Sequence, residues 1–325
     1  MQNFQMTRGA DTLVRTCTDV QKGEQVLIVA EPSKMSIAEC IAGAVYAVGA
    51  EPAILTMLPR KQDGEEPPVA VAAAMKASDV FFCVVNKSIT HTQAVKNAVA
   101  AGSRGLVLTQ FSEDMMIHGG IEADFLKTAP LCRGFAAALA GSEKIHLTTP
   151  YGTDLMFSAS GRRGNALCGV VNKGEFSTVP TIEANVSPLE RTAEGIIAAN
   201  ASIPYLGIGL LHEPVVCHVK NGKIISIAGG KQADMLRADL QSKNDPNVYN
   251  IAEMGVGLNT CCRFCGFMLE DEGVYGSVHI GIGTSITLGG TVKAACHYDL
   301  IMTGASIIAD DRILLKNGAV CPENF

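Results

Sequence analysis

The sequence contains no tryptophan, and aromatic residues make up only 5% of it. The core must therefore be built from Ala, Val, Ile and Leu, and 33 glycines allow close approaches of the backbone. The 325 residues contain no long run of like charges and no apolar stretch near the roughly 20 residues of a membrane helix. With a net charge of -6 as well, we expect the chain to bind neither nucleic acid nor membranes.

A disulfide framework and a secretory leader are also not expected. The eleven cysteines are scattered without compact spacing, which is typical of reduced thiols. The first residues, MQNFQMTRGADTLVRTC, are polar and charged where a signal peptide needs an apolar segment. The sequence therefore predicts a cytoplasmic protein.

Apolar strand patterns alternate with helix patterns in the first half of the chain. Strands are predicted at 22–31, 52–57, 80–85 and 105–109, and helices at 35–48, 68–77, 91–101 and 121–140. Continuous apolar strands that alternate with helices indicate a parallel sheet covered on both faces. We therefore predict a Rossmann-like α/β domain over residues 1–143.

The second half has a different pattern, with alternating polarity and turn signals. Asn221-Gly222 between two strand-like runs predicts a β-hairpin. A helix is predicted at 231–241, and strands at 249–256, 276–283, 297–303 and 307–315. Residues 144–325 are accordingly predicted to form an α+β domain with a mostly antiparallel sheet.

Carboxylates and imidazoles of the second half fall in strand-like segments, where an ionised group is costly unless it is paired or bound to metal. His297 and Asp299 are two residues apart, so both side chains point to one face of a strand. His279 has glycines two and four residues after it, which leave room for a ligand. Glu175 and Glu253 have no basic partner within their own strands. Each residue alone fits an ordinary structural role, but together they suit a metal centre.

Such a set of oxygen and nitrogen ligands suits one or two divalent ions, of Zn, Mn, Co or Fe. Two ions would activate a water molecule for amide hydrolysis. One ion on His279, His297 and a carboxylate would resemble the facial triad of ferrous oxygenases. The ligands alone are compatible with both chemistries.

Several segments resemble the aminopeptidase T/S metallopeptidase family and the related, shorter 2,5-dihydroxypyridine 5,6-dioxygenases. They are YGTDLMFSASGR (151–162), NKGEFSTVPTIEA (172–184), IAEMGVG (251–257), LEDEGVYGSVHIGIG (269–283) and HYDLIM (297–302). The resemblance implies an α/β domain followed by an α+β domain, and homo-oligomers assembled through the latter. The peptidase pattern implies that two ions are ligated by Glu175, Glu253, His279, His297 and Asp299.

The two relatives point to different chemistries. The peptidases have a tyrosine shortly after the strand histidine, and this chain has Ile286 at about that position. Its length is closer to that of the dioxygenases, whereas Glu253 and His279 follow the peptidase pattern.

The leading hypothesis from the sequence is a metal-dependent hydrolase that cleaves an amide, lactam or small peptide C–N bond. In it Glu175 is a metal ligand or the general base. Arg162 would bind a substrate carboxylate and Lys293 a developing oxyanion, although both also fit solvated charges. The alternative is a ferrous dioxygenase that uses His279, His297 and Asp299 to open a hydroxylated N-heterocycle such as 2,5-dihydroxypyridine. A third hypothesis is a small-molecule binding protein without catalysis.

Overall fold

A computed structural model of the chain describes residues 2–90 and 92–325. The helices are α1 (Gln2–Gln5), α2 (Thr7–Asp11), α3 (Met35–Ala47), α4 (Val69–Ala77), α5 (Gln93–Ala100), α6 (Glu113–Ile117), α7 (Phe125–Leu139), α8 (Lys231–Ser242) and α9 (Met268–Asp271). The strands are β1 (Gln25–Ala30), β2 (Glu51–Thr56), β3 (Val80–Val85), β4 (Arg104–Thr109), β5 (Ile145–Thr148), β6 (Asp154–Phe157), β7 (Gly164–Leu167), β8 (Phe176–Thr178), β9 (Glu183–Val186), β10 (Glu194–Ala199), β11 (Ser202–Ile203), β12 (Gly209–Leu210), β13 (Val215–Lys220), β14 (Lys223–Ala228), β15 (Ile251–Gly257), β16 (Val278–Gly283), β17 (His297–Met302), β18 (Ser306–Ala309), β19 (Arg312–Lys316) and β20 (Ala319–Val320).

The chain folds as two compact units. Unit 1 contains the residues as far as Ala129 together with Leu167–Pro180, and unit 2 contains Pro130–Ala166 and Thr181–Phe325. Each unit is thus built from two stretches of chain, whereas the sequence predicts a single boundary between residues 143 and 144. The second stretch returns to unit 1 because β8 pairs in parallel with β4 at the edge of its sheet.

Unit 1 has a parallel sheet with the order β2-β1-β3-β4-β8. Strands β1 to β4 and helices α3 to α5 agree with the predicted elements to within a few residues, because the apolar runs and their turns are unambiguous. Strand β8 and helix α6 were not predicted. The predicted first residue of one helix, His91, lies outside the described residues, and α5 begins at Gln93. A core of apolar side chains, among them Leu27, Met75, Phe81 and Val107, is packed on one side of the sheet.

Unit 2 contains two mainly antiparallel sheets, with the orders β14-β13-β10-β6-β5-β18-β19-β20 and β12-β11-β17-β16-β15-β9-β7. The hairpin predicted at Asn221-Gly222 joins β13 to β14, and both turn residues have the positive φ angles (51° and 73°) that such a turn requires. The strand predicted at 307–315 is instead a second hairpin, because the chain turns at Asp310 with φ 46°. The predicted fold class, α/β followed by mostly antiparallel α+β, is confirmed.

Within the part of the chain that the structure describes, no helix has both the length and the apolar character needed to cross a bilayer.

Candidate metal centre

The candidate site lies on one face of the sheet formed by β9, β15, β16 and β17. Side chains two residues apart in a strand point to the same face. The ladder aligns Glu253 with Gly281, and Gly281 with Asp299, so ionisable side chains of neighbouring strands are brought side by side. The other face of these strands is apolar and carries Met254, Ile280 and Leu300. The alternation in the sequence therefore anchors the strands through one face and directs polar groups to the other.

Two glycines on the polar face make room for the imidazole rings. A Cβ atom at Gly255 would lie 2.1 Å from Nε2 of His279, and one at Gly281 would lie 2.7 Å from Nε2 of His297. Real Cβ atoms essentially never approach a heavy atom so closely. Each histidine thus lies over a glycine of the adjacent strand, and a larger residue there would push the ring out of the site.

The ionisable side chains form two groups that share one carboxylate. One group is Glu183, Glu253 and His279, and the other is Glu253, His297 and Asp299; within each group the candidate ligand atoms all lie within 4.8 Å of one another. Nε2 of His279 lies 4.0 Å from Oε1 of Glu253, whereas Nε2 of His297 lies 3.0 Å from its Oε2. Glu253 therefore presents one oxygen to each group.

The groups are deeply buried, with one exception. Glu183, Glu253, His279 and Asp299 are each at most 4% exposed. The His297 side chain is 24% exposed. A small molecule therefore has access to this cluster on the His297 side.

Burial and mutual charge control the pKa values of the cluster. Burial raises the pKa of Glu183 to about 7, and the charges of Glu253 and Asp299 add to this. Burial alone would lower the pKa of His279, but the charge of Glu183 and the bond to Glu253 outweigh it and raise it to about 9. The pKa of His297 is likewise raised, against its burial, by Asp299 and Glu253. Without metal the imidazoles therefore hold protons that neutralise the carboxylates.

A divalent cation fits this arrangement. Oε2 of Glu183 and Oδ1 of Asp299 are buried and have no hydrogen-bond partner among the described residues. Buried oxygens are almost always bonded, so two orphaned ones at a cluster of carboxylates indicate a missing ligand. Carboxylate oxygen and imidazole nitrogen are the donors that Zn, Mn, Co and Fe accept. The predicted divalent-metal requirement is in accord with these residues.

Neighbouring groups hold two of the ligands in place. Nδ1 of His297 lies 2.8 Å from the carbonyl oxygen of Thr284, which directs Nε2 toward the carboxylates. The Tyr205 hydroxyl donates to Oδ2 of Asp299 at 2.6 Å and lies 3.2 Å from Oε1 of the buried Glu272. Burial, followed by the charge of Asp299, raises the pKa of Glu272 well above its usual range.

The structure brings together four of the five residues predicted as ligands: Glu253, His279, His297 and Asp299. Glu175 is a correction. It is exposed, belongs to unit 1, and its Oε2 accepts hydrogen bonds from the backbone and side chain of Asn172. Glu183 lies in the cluster at the position that the sequence prediction gave to Glu175. The two imidazoles also fall in different groups, rather than in one triad with Asp299.

The predicted substrate-binding residues have other surroundings. The Arg162 guanidinium donates to the carbonyl of Gly289 at 2.7 Å and forms an ion pair with Glu190, so it is engaged within the protein. Lys293 is exposed, and its carbonyl accepts a hydrogen bond from Asn247. A role of Lys293 in substrate binding stays a prediction.

Sequence reasoning missed Glu183, Tyr205 and Glu272. A usable signal existed for Glu183, because Ile182 to Val186 alternates apolar and polar residues as the Glu253 segment does, and β9 is buried throughout. Glu175 instead precedes a strand and lies next to Gly174, as turn residues do. Tyr205 lies between short strands and carries no pattern of its own.

Comparison with known proteins places these observations in a family. Residues 7–322 match the family model of 2,5-dihydroxypyridine 5,6-dioxygenase. The 2,5-dihydroxypyridine 5,6-dioxygenase of Pseudomonas putida KT2440 is 28% identical over 149 residues, and this match covers 42% of each chain. The sequence match thus spans less than half the length of that relative.

Two solved structures share the fold. The 2,5-dihydroxypyridine dioxygenase from P. putida KT2440 superposes with a TM-score of 0.84 at 19% identity, covering 98% of this chain and 97% of that one. Wild-type aminopeptidase T (AmpT) from Thermus thermophilus superposes with a TM-score of 0.72 at 16% identity, covering 98% and 99%. The resemblance to both groups of proteins is confirmed, and the match along nearly the whole sequence means that the chain belongs to the 2,5-dihydroxypyridine 5,6-dioxygenase family.

Proposed function

We propose that this protein is a metal-dependent dioxygenase that opens the ring of a small hydroxylated N-heterocycle such as 2,5-dihydroxypyridine. The observation that carries the proposal is the family match over residues 7–322, which includes every residue of the buried cluster. The activity of the P. putida relative, a 2,5-dihydroxypyridine 5,6-dioxygenase, supports the choice of substrate class. The hydrolase, which the sequence alone favoured, becomes the second candidate.

In this proposal Glu253, His297 and Asp299 would hold a ferrous ion. When bound, it would supply the redox chemistry that lets dioxygen react with the ring. The Thr284 carbonyl faces Nδ1 of His297 and so directs Nε2 toward Glu253 and Asp299, where the ion would be held. Tyr205 restrains Asp299 through its second oxygen, Oδ2, and leaves Oδ1 as the ligand. Substrate approaches past the partly exposed His297.

The second candidate is hydrolysis of an amide or small peptide C–N bond. One observation favours it: Glu183, Glu253 and His279 form a further ligand group that shares Glu253 with the first. A shared carboxylate is suited to a pair of ions about 3.5–4 Å apart, as in two-metal hydrolases. Glu183, rather than Glu175, would then be the additional acidic ligand.

A paired assay separates the two candidates. The protein is purified without air, its metal content is measured, and oxygen uptake is followed with 2,5-dihydroxypyridine beside amine release from dipeptides. Iron together with substrate-dependent oxygen uptake supports the dioxygenase. Zn, Mn or Co with turnover in the absence of oxygen overturns it in favour of the hydrolase. Full metal occupancy without turnover on a broad panel supports the small-molecule binding protein.

We further propose a cytoplasmic location and a homo-oligomer assembled through unit 2. Both follow from the sequence and its family resemblance. Light scattering of the purified full chain tests the assembly, and a mass equal to the 34.1 kDa chain contradicts it.

A further inference from the structure

A relay of side-chain amides leads to Glu183. Asn185 lies two residues after Glu183 on β9, so both side chains point to the same face. Nδ2 of Asn185 donates to Oε1 of Glu183 at 2.7 Å, and Asn185 is completely buried. One oxygen of Glu183 is thus bonded, while Oε2 has no hydrogen bond and lies 3.7 Å from Nε2 of His279.

The orientation of Asn185 is itself fixed by a second asparagine. Asn165 on β7, the strand next to β9, donates through Nδ2 to Oδ1 of Asn185 at 2.8 Å. The same Nδ2 donates to the carbonyl of Leu288 at 3.1 Å. Because Oδ1 of Asn185 is engaged as an acceptor, its NH2 group is directed toward Glu183.

The relay ends on a loop that also supports His297. Thr284, whose carbonyl faces Nδ1 of His297, begins the loop that contains Leu288. Arg162 fastens this loop through the Gly289 carbonyl and through Glu190, which accepts bonds from Thr291. One short segment therefore supports a ligand in each of the two groups.

We propose that Asn185, oriented by Asn165, is a positioning residue that decides which oxygen of Glu183 is offered to a divalent cation. The inference rests on a cation held by the Glu183 group, which the second candidate function requires. With Oε1 held by Asn185, Oε2 is presented toward His279 and Glu253. Without the relay the carboxylate rotates freely between its two oxygens, and the Glu183 group binds the cation more weakly.

The test is the affinity of the full chain for Zn²⁺ and Co²⁺, measured in competition with a chelator. Asn185→Leu has nearly the same size, removes the donor and adds no ligand. We expect affinity at the Glu183 group to fall about 10–100-fold, as is usual when an outer partner of a ligand is lost. The Co²⁺ absorption spectrum should change for the same group. Asn165→Leu should have a smaller effect in the same direction.

Asn200→Leu is the matched control. Nδ2 of Asn200 donates to Oγ1 of Thr303 at 2.9 Å, and its Oδ1 accepts from the Thr303 backbone at 3.0 Å. The residue is partly buried, and both of these bonds lead away from the proposed ligands. This variant should lower the thermal midpoint of the metal-free protein and leave metal affinity unchanged. In Asn185→Leu the loss of metal affinity should be the larger effect, and the fall in the thermal midpoint the smaller one.

The outcomes separate the two levels of the proposal. If the wild-type chain binds neither ion, the metal centre itself is overturned. If it binds them and Asn185→Leu binds them equally tightly, the relay has no positioning role and only this inference is overturned. Should Asn185→Leu not fold, Asn165→Leu decides, because Asn165 is only partly buried.

Discussion

Strand β3 in unit 1 and strand β16 in unit 2 are both buried along their whole length, but they use that burial differently. β3 reads VFFCVV and gives apolar side chains to both faces, whereas β16 reads VHIGIG and gives one face to a histidine and two glycines. Burial of β3 stabilises the fold through the apolar area removed from water. One face of β16 instead holds groups whose charge is costly to bury, so its contribution depends on what neutralises them.

Truncation of an apolar side chain in β3 should give the largest change in stability. Phe81 is fully buried in the core cluster of unit 1, so Phe81→Ala should lower the free energy of unfolding by about 3–5 kcal/mol. Denaturant unfolding of the metal-free chain measures this loss. Metal affinity of the fraction that remains folded should be unchanged. A loss of unfolding free energy below about 1 kcal/mol would mean that the core around residue 81 closes the cavity left by the ring.

Removal of a ligand from the polar face should affect metal binding more than stability. His297→Ala should weaken metal binding and any metal-dependent turnover by more than about 100-fold, because it removes a ligand rather than an outer partner. The thermal midpoint of the metal-free chain should fall less than in Phe81→Ala. The lost imidazolium leaves Glu253 and Asp299 less well neutralised, but the side chain is 24% exposed, so water reaches this end of the cluster. Global unfolding of this variant would instead make His297 a structural residue.

Substitution of a glycine on the polar face should lower metal affinity less than removal of a ligand does. In Gly281→Ala the new Cβ would lie 2.7 Å from Nε2 of His297, so the ring must shift and metal affinity should fall about 10–100-fold. Gly43→Ala in helix α3 is the control, because a Cβ there meets nothing within 4 Å. The control should keep full affinity and gain about 0.5–1 kcal/mol of stability. Equal affinity in both variants would contradict the close packing of ring and glycine.

Metal uptake should release protons. The pKa of His279 is raised to about 9 without metal, so this ring is protonated at neutral pH and must lose its proton to bind an ion. Affinity should therefore rise with pH and level off near that value. In the metal-free protein the imidazolium contributes stability that is complete below its unfolded pKa of 6.5 and is lost as pH rises through about 9. Calorimetry in two buffers of different ionisation enthalpy measures the proton release, and identical heats would contradict it.

The ion pair of Glu24 in unit 1 should have the smallest effect. Partial burial would raise the pKa of Glu24, but hydrogen bonds from Arg104 and the Gln21 backbone outweigh it and lower the pKa. The pair therefore stabilises the fold above the unfolded pKa, and its contribution disappears as pH falls through the folded value. Glu24→Gln should cost under about 1 kcal/mol at neutral pH, and less in acid. Urea unfolding at both pH values measures the difference, and an equal cost at the two values contradicts it.

The sequence predicts unit 1 better than unit 2, for a physical reason. Runs such as Val80–Val85 are apolar on both faces, so length and turns alone locate the strand. In unit 2, the apolar runs Ile307–Ala309 and Ile313–Leu315 are separated by only three charged residues, Asp310, Asp311 and Arg312. The prediction of one strand passed over the turn that these charges indicate.

A residue of the metal centre can be predicted from the sequence only where it lies in a recognisable local pattern, such as a strand with alternating apolar and polar residues. Glu253, His279, His297 and Asp299 lie in alternating strands, and their convergence follows from the ladder once the strands are neighbours. Glu183 has a similar alternating pattern but was not predicted. Its position beside Glu253 depends on the long-range pairing of β9 with β15, whereas Glu175 lies outside that sheet. Tyr205 reaches Asp299 across 94 positions of sequence, which no local pattern encodes.

A carboxylate common to both groups links their occupancies. Glu253 carries one negative charge, shared between its two oxygens, and it belongs to both groups. A cation bound in one group therefore reduces the electrostatic attraction of Glu253 for a cation in the other. Repulsion between two dications at such short range adds to this. Loading of the centre should consequently be sequential, with limiting metal filling one place per chain and only an excess filling both.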